Sequence, residues 1–518
     1  MKFKSQISEY FKRSSIAITI GLGALKFIKA FPALLIIILS AKYFGISPER
    51  DAWLVGVSII TVSIQLLFGP LNETFITKYI HIREEQSLED VNKATDALIS
   101  TIIIISIFVS AGIFLFSHNL ADIFAPGFSD KQKNTLVFML RILIPSLLML
   151  EITNIWSSIL NAYKSYFIPD LLSSISLIIN TVLIVVLSPI IGIYSLVVSA
   201  YLGYALLTIV LYRELRFKFN YRFKFVIPKY DLIKPFFLFA LPLFINYLFS
   251  QTDSTIEKSL TTEIGSGSVS VLDYARKFSE LPSGLLMGVV TTVLTPLLSL
   301  FYVKNTEKEL INETQKYFRF MILIVLPIAV TLIVLPHEIV KIVLVRGKFG
   351  AQLIEPTSML LKWYGIGLFT VIFYLVYTQL IIAQKKIYFF SKVVIISFIV
   401  KIAFNLALYK KLGLNTFPMS SMISNFIMGL ILLYVSTGNF RKKAIADAAF
   451  MIFFGALLTA ICYGMHLLIS NFFKSDYIVA SLVLIAIFAV ELMLVLIFRL
   501  EEAAVVKRFF KRFRPIPG

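Results

Sequence analysis

A chain of 518 residues that is 58% hydrophobic, with 47 phenylalanines and only 15% charged residues, carries more apolar surface than a soluble core of that size can enclose. That composition argues against reading the +19 net charge as a nucleic-acid footprint; it marks membrane topology and attraction to anionic lipid. One cysteine, Cys462, excludes an intramolecular disulfide and a cysteine-based metal site.

About fourteen stretches reach the roughly 20 apolar residues needed to cross a bilayer. In chain order they run approximately 15–44, 51–79, 94–117, 133–162, 167–189, 190–213, 235–260, 270–302, 315–336, 353–383, 386–409, 413–438, 446–472 and 477–499. The expected fold is an all-α polytopic membrane protein: two six-helix repeats forming two lobes around a central cavity, then two C-terminal helices. The expected boundaries are 1–222 for the N-terminal lobe, 223–445 for the C-terminal lobe, and 446–518 for the last two spans and a basic tail.

The start, "MKFKSQISEYFKRSS", leads into an apolar stretch too long for a signal peptide and reads as an uncleaved first span. Within that span Lys26 and Lys29 are one helical turn apart, and Pro32 interrupts the backbone hydrogen-bond ladder just beyond them. A buried cation costs about 2.5–3.5 kcal/mol at mid-helix, so the pair either lines a cavity, where it suits an anion site, or snorkels to the interface, a long reach for Lys26 from within the span. Span four carries Arg141, with Glu151 deeper in the helix. Between spans six and seven, "RFKFNYRFKF" (Arg216 to Phe225) alternates polar and aromatic residues with period two. An extended segment there would present one charged and one aromatic face, either as a linker on the membrane surface or as a plain basic loop.

Span seven holds Asp253 among Gln251, Thr252 and Ser254, oxygen donors compatible with a monovalent cation or with a hydrogen-bonded kink. Span eight carries Arg276, Lys277 and Glu280, followed by Pro282, Ser283 and Gly284. Lys277 and Glu280 at i,i+3 can pair, leaving Arg276 on another face. Lys362 in span ten sits about 221 residues after Arg141, and Lys392, Lys401 and Glu491 complete the ionisable residues inside spans.

That spacing recurs. Asp51 and Asp273, Phe128 and Phe349, and Tyr166-Phe167 and Tyr388-Phe389 are all about 221 residues apart, the mark of a duplicated bundle. Repeats of hydrophobic spans are the signature of a transporter with its site at the repeat interface. Placing both termini in the cytoplasm puts roughly 30 Lys and Arg on that face and about ten on the other, as the positive-inside rule requires. Catalysis is not expected: His81, His118, His337 and His466 are scattered, the exterior loops are short, and there is no P-loop or H-E-x-x-H.

Stretches 41–76 and 265–299 ("GSGSVSVLDYARKFSELPSGLLMGVVTTVLTPLLS"), with "IFAPGFSD" and "SILNAYKSYFIPDLLSSISLIIN", resemble the MurJ/MviN lipid II flippases of the multidrug/oligosaccharidyl-lipid/polysaccharide exporter superfamily. The similarity of pattern runs through about the first 440 residues. It implies fourteen helices around a cationic cavity, in the bacterial cytoplasmic membrane. It also implies alternating-access transport of an undecaprenyl-pyrophosphate-linked glycan, most simply lipid II, to the outer leaflet. Lys277 falls where the family has Arg in its "YADR" motif, Ser270 and Glu280 match outright, and Lys26 and Lys29 approximate the first-span arginines. The implied substrate residues are thus Lys26, Lys29, Ser270, Arg276, Lys277 and Glu280, with Arg141, Lys362 and Asp253 as secondary candidates. Where the family has an Arg pair in the second span this chain has Ile64-Gln65, which removes one expected cation.

A Wzx-type O-antigen or exopolysaccharide flippase and a MATE-like drug or cation antiporter are the alternatives on the same fold; a membrane glycan ligase would need a catalytic exterior loop. The expected partners are the lipid-linked glycan and anionic membrane lipids, with no nucleic acid, and the expected state is a monomer. No cofactor is implied; the membrane potential or a monovalent cation is the expected source of coupling.

Overall fold

The computed structural model describes residues 28–85, 87–290, 294–304, 307–498 and 500. They form helices joined by short turns, with no strand among the described residues. The first described helix, α1 (28–43), runs through Pro32. It is followed by α2 (Pro48–Glu85), α3 (Leu88–Leu115), α4 (Ser117–Phe124), α5 (Asp130–Ala162), α6 (Phe167–Ile191), α7 (Tyr194–Lys218) and α8 (Tyr230–Ile264). Then come α9 (Ser268–Val289), α10 (Thr295–Lys304), α11 (Glu307–Val334), α12 (Pro336–Val343), α13 (Ile354–Ala383), α14 (Ile387–Leu412), α15 (Thr416–Ser436), α16 (Arg441–Phe472) and α17 (Asp476–Ile497).

Among the described residues eleven segments are long and apolar enough to cross a membrane, against the fourteen expected. One of the eleven, Ile387–Ser436, is a pair of helices, α14 and α15, turned at Gly413. The first expected span is described only from residue 28, and α9, crowded with Arg276, Lys277 and Glu280, is outside the eleven. Large apolar side chains such as Phe108 on α3 and Ile190 on α6 stand more than 70% exposed, the inverse of a soluble surface and suited to lipid contact.

Local chemistry sets the helix ends. Ser129 and Gln132 make a reciprocal capping box at the start of α5, and the Ser87 hydroxyl accepts from the Asp90 amide at the start of α3. The duplication predicted from sequence reappears in backbone geometry. Gly192 closes α6 and Gly413 closes α14, both at φ +56°, and Lys164 and Lys385, after α5 and α13, are both at φ +62°. These pairs keep the same offset of about 221 residues.

The described residues divide into two compact units. The first runs to Ser270 and takes in Arg346–Phe349. In it α2 packs on α5 and α8, and α6 on α7. Phe68, Leu71, Phe75 and Tyr79 of α2 are buried with Leu136, Leu140, Leu143 and Leu147 of α5, and the Phe75 and Phe236 rings stack at 5.6 Å. Two loops tuck under helix ends at matched places: the Gly127 amide donates to Thr262 Oγ1 (3.3 Å) and the Lys348 amide to the Lys42 carbonyl (3.0 Å).

The second unit comprises Val271–Val345 and the described chain from Gly350 onward. Here α13 is central, packed on α15 and α11. Phe318, Phe373 and Tyr377 are fully buried, and a Cβ on Gly429 would lie 2.3 Å from the Phe373 ring, so only glycine lets α15 approach α13 this closely. The last two helices, α16 and α17, belong to this unit and pack on α11 and α12.

Candidate substrate site

The helices deliver the sequence-predicted residues to several places, described unit by unit. Lys26 lies outside the described residues. Lys29, on α1, is half-buried and its ammonium donates to Asp170 Oδ1 at 2.6 Å. Asp170 is in the first turn of α6, where a carboxylate also suits the positive end of the helix dipole. Sequence reasoning missed this partner: the two are 141 positions apart and no local pattern links them.

Ser270 is fully buried, and both its amide (2.9 Å) and its hydroxyl donate to Asp51 Oδ1. The Gly267 amide donates to the other Asp51 oxygen at 2.6 Å. Asp51, itself without exposed surface, therefore caps the open end of α9 from α2, satisfying donors that a helix start leaves unpaired. Its neighbour Arg50 donates to the Ser270 carbonyl (3.3 Å) and to Ser40 Oγ (3.4 Å). The one early signal for Asp51 was its repeat match to Asp273.

Arg141 on α5 is exposed, stacks its guanidinium over the Phe114 ring at 4.8 Å and donates to Ser117 Oγ at 3.3 Å. Asp253 is buried on α8. Glu151, with no exposed surface, accepts from Asn72 at 3.1 Å. At the position where an arginine pair was expected, Ile64 is buried and Gln65 half-buried on α2.

In the second unit α9 brings three predicted residues together. Lys277 and Glu280 form the i,i+3 pair at 2.8 Å, with side chains 42% and 48% exposed, so both remain reachable by a ligand. Arg276 points off that face, its Nε donating to the Tyr364 hydroxyl of α13 at 3.2 Å. Tyr364 is a further residue the sequence did not flag. Lys362, two positions earlier on α13, is exposed.

In each unit, then, a lysine on a membrane-bundle helix is held by a carboxylate, Lys29 by Asp170 and Lys277 by Glu280. An all-helical, internally duplicated membrane bundle with such cations is a transporter.

The comparisons with known proteins agree with that class. The model of the family described as "Lipid II flippase MurJ" matches residues 40–488, and the chain belongs to that family. A probable lipid II flippase MurJ of Thermotoga maritima is 23% identical over 481 residues, covering 92% of this chain and 95% of the relative. One from Buchnera aphidicola subsp. Schizaphis graminum is 26% identical over 348 residues, covering 64% of this chain and 65% of that relative. Among solved structures, a lipid II flippase MurJ in an inward closed conformation superposes with a TM-score of 0.78 at 22% identity, over 92% of this chain and 98% of that one. An inward-facing MATE family multidrug transporter gives 0.65 at 13% identity, over 83% and 98%. These two structural likenesses show a shared fold.

Proposed function

We propose that this protein moves lipid II from the inner to the outer leaflet of the bacterial cytoplasmic membrane by alternating access. The reading is carried by membership of the lipid II flippase family over residues 40–488, and it is supported by a cationic stretch of α9 in which Lys277 is both paired and exposed. On α9, Arg276 and Lys277 take the pyrophosphate, and Glu280 holds Lys277 in the anion's absence. Lysine supplies point charges where a guanidinium would give bidentate contacts, and Gln65 contributes hydrogen bonds at the position of a missing arginine. Both termini lie in the cytoplasm, where anionic lipids meet the basic loops, and the protein acts as a monomer. An inside-negative potential favours outward movement of the anion by about 2.3 kcal/mol per charge per 100 mV if the whole field is crossed.

The test is complementation of a strain depleted of its lipid II flippase, with membrane levels checked by immunoblot. Wild type is expected to rescue growth, Lys277→Ala to fail, and Lys277→Arg to rescue. Failure of wild type at normal membrane levels would overturn lipid II as the cargo, and full rescue by Lys277→Ala combined with Arg276→Ala would remove α9 from the site.

A further inference from the structure

The chain between α7 and α8 builds a cleft that the transport reading does not use. After a turn at Asn220 (φ +52°), residues 221–229 run without helix or strand along α3, tied at two points: the Tyr221 hydroxyl donates to Asp96 Oδ1 at 2.6 Å, and the Val226 amide to Ser100 Oγ at 3.1 Å. Tyr221 is only 2% exposed. Burial and the adjacent carboxylate hold its hydroxyl protonated well above the usual tyrosine range, so this tie persists at any physiological pH. Between the ties the chain has the period-two alternation its sequence predicts. Phe219, Tyr221 and Phe223 turn inward, while Asn220, Arg222 and Lys224 face out.

The outward side chains of this strap and the facing residues of α3 line an open cleft of about 810 Å³, with Lys93, Arg222, Lys224 and Lys229 beside Glu89 and Asp96. The two carboxylates are already engaged, Glu89 with Lys93 at 2.9 Å and Asp96 with Tyr221. The Tyr221 hydroxyl is neutral and leaves the Asp96 charge in place, facing Lys224, so four cations stand against two carboxylates and the cleft is net positive. Beside them the register changes and apolar side chains face outward: Phe225 is 59% and Ile227 86% exposed. These residues lie between the last residue of one membrane-spanning helix, Lys218, and the first of the next, Tyr230, which puts the strap at the boundary of the hydrocarbon. A water-soluble anion would have no use for the exposed Phe225 and Ile227; a lipid has a phosphate for the cations and acyl chains for the apolar pair.

We propose that this cleft seats the phosphodiester headgroup of an anionic phospholipid, bound by Arg222, Lys224 and Lys229 with Phe225 and Ile227 in the acyl region. The inference shares with the proposed function only the presence of anionic lipid around the basic loops and does not depend on the identity of the cargo. Each basic residue near an anionic surface is worth a factor of about five, so three together give on the order of 100-fold.

The experiment is native mass spectrometry of the purified full-length protein in detergent, titrated with dioleoylphosphatidylglycerol, dioleoylphosphatidylcholine or glycerol 1-phosphate. Wild type is expected to retain phosphatidylglycerol over phosphatidylcholine, and Arg222→Gln/Lys224→Gln/Lys229→Gln to lose that preference by about 100-fold. A control with the same charge removed elsewhere, Lys308→Gln/Lys442→Gln/Lys443→Gln, is expected to keep it, and Phe225→Ser/Ile227→Ser to weaken retention at least several-fold. Equal retention by the first triple variant and wild type overturns the site. Displacement of the lipid by equimolar glycerol 1-phosphate overturns the lipid as its occupant in favour of a free phosphate ester. No transport is read, so a negative result leaves the flippase reading standing.

Discussion

At the scale of the residue, Asp51 does the most with one side chain: three donors from Gly267 and Ser270 converge on its carboxylate. Hydrogen bonds to a charged group are worth about 1.5–3 kcal/mol each, and orphaning buried donors costs about 1–3 kcal/mol apiece. Asp51→Ala is therefore expected to destabilise the protein by about 2–4 kcal/mol, read as a lowered Tm in detergent, and Asp51→Asn by less because its amide oxygen still accepts. An unchanged Tm for Asp51→Ala would mean that α9 is not held through this cap. The residue scale also shows what a sequence yields and what it withholds. The Lys277–Glu280 pair was legible because both partners stand one turn apart on a single helix. Lys29–Asp170 and Arg276–Tyr364 were not, because each joins helices whose rotation about their own axes is set by packing. Ser270 matched a family position, yet its hydroxyl is committed to Asp51, a contact between residues 219 positions apart that no motif encodes.

At the scale of the element, matched glycines separate conformational from steric cost. Gly192 and Gly413 end α6 and α14 at φ +56° with open space where a Cβ would lie. Alanine at either is expected to cost only the backbone strain of a positive-φ conformation that L residues rarely adopt, about 1–3 kcal/mol, and, the sites being repeat-related, about the same at both. Gly347, at φ +55°, differs: a Cβ there would sit 2.2 Å from the Lys42 carbonyl oxygen. Backbone cannot swing aside as a side chain can, so Gly347→Ala is expected to cost clearly more than either of the other two. Thermal melts of the three single variants test the order, and equal losses would refute it. The linker makes the complementary point about legibility. Its period-two pattern separates Phe219, Tyr221 and Phe223 from the exposed Asn220, Arg222 and Lys224, but Phe217 and Phe225 of the same aromatic series are exposed, and Arg216 to Lys218 continue α7. The reason is local: Lys218 reaches back one turn to Glu214 at 2.6 Å, an i,i+4 pair that prolongs the helix.

At the scale of the whole molecule, hydropathy and a repeat of about 221 residues carried class and fold, because spans and duplications are written in composition and spacing, while the family came from the likeness of stretches 41–76 and 265–299. How helices are fastened to one another is not written there, and α16 and α17 show why. Their buried positions, Ala444, Ala448, Met451, Phe454, Leu458 and Cys462 on one and Val479, Val483, Ile487, Val490 and Leu494 on the other, recur every three or four residues. In lipid such a stripe gains little from leaving the acyl chains, so polar contacts weigh more in attachment than they would in water. Glu338 of α12, only 10% exposed, accepts or shares a proton with His466 of α16 at 2.8 Å. Lys341 of α12 meets Asp476 of α17 at 2.6 Å, but with side chains 46% and 30% exposed. Removing His466 strands a buried carboxylate, at about 1–3 kcal/mol; removing Asp476 leaves a solvated lysine, at about 0–1 kcal/mol. His466→Ala is therefore expected to lower Tm and to sensitise the 437–440 connection to protease, while Asp476→Ala leaves both unchanged. Equal effects of the two substitutions would show that the last two helices are held by packing alone.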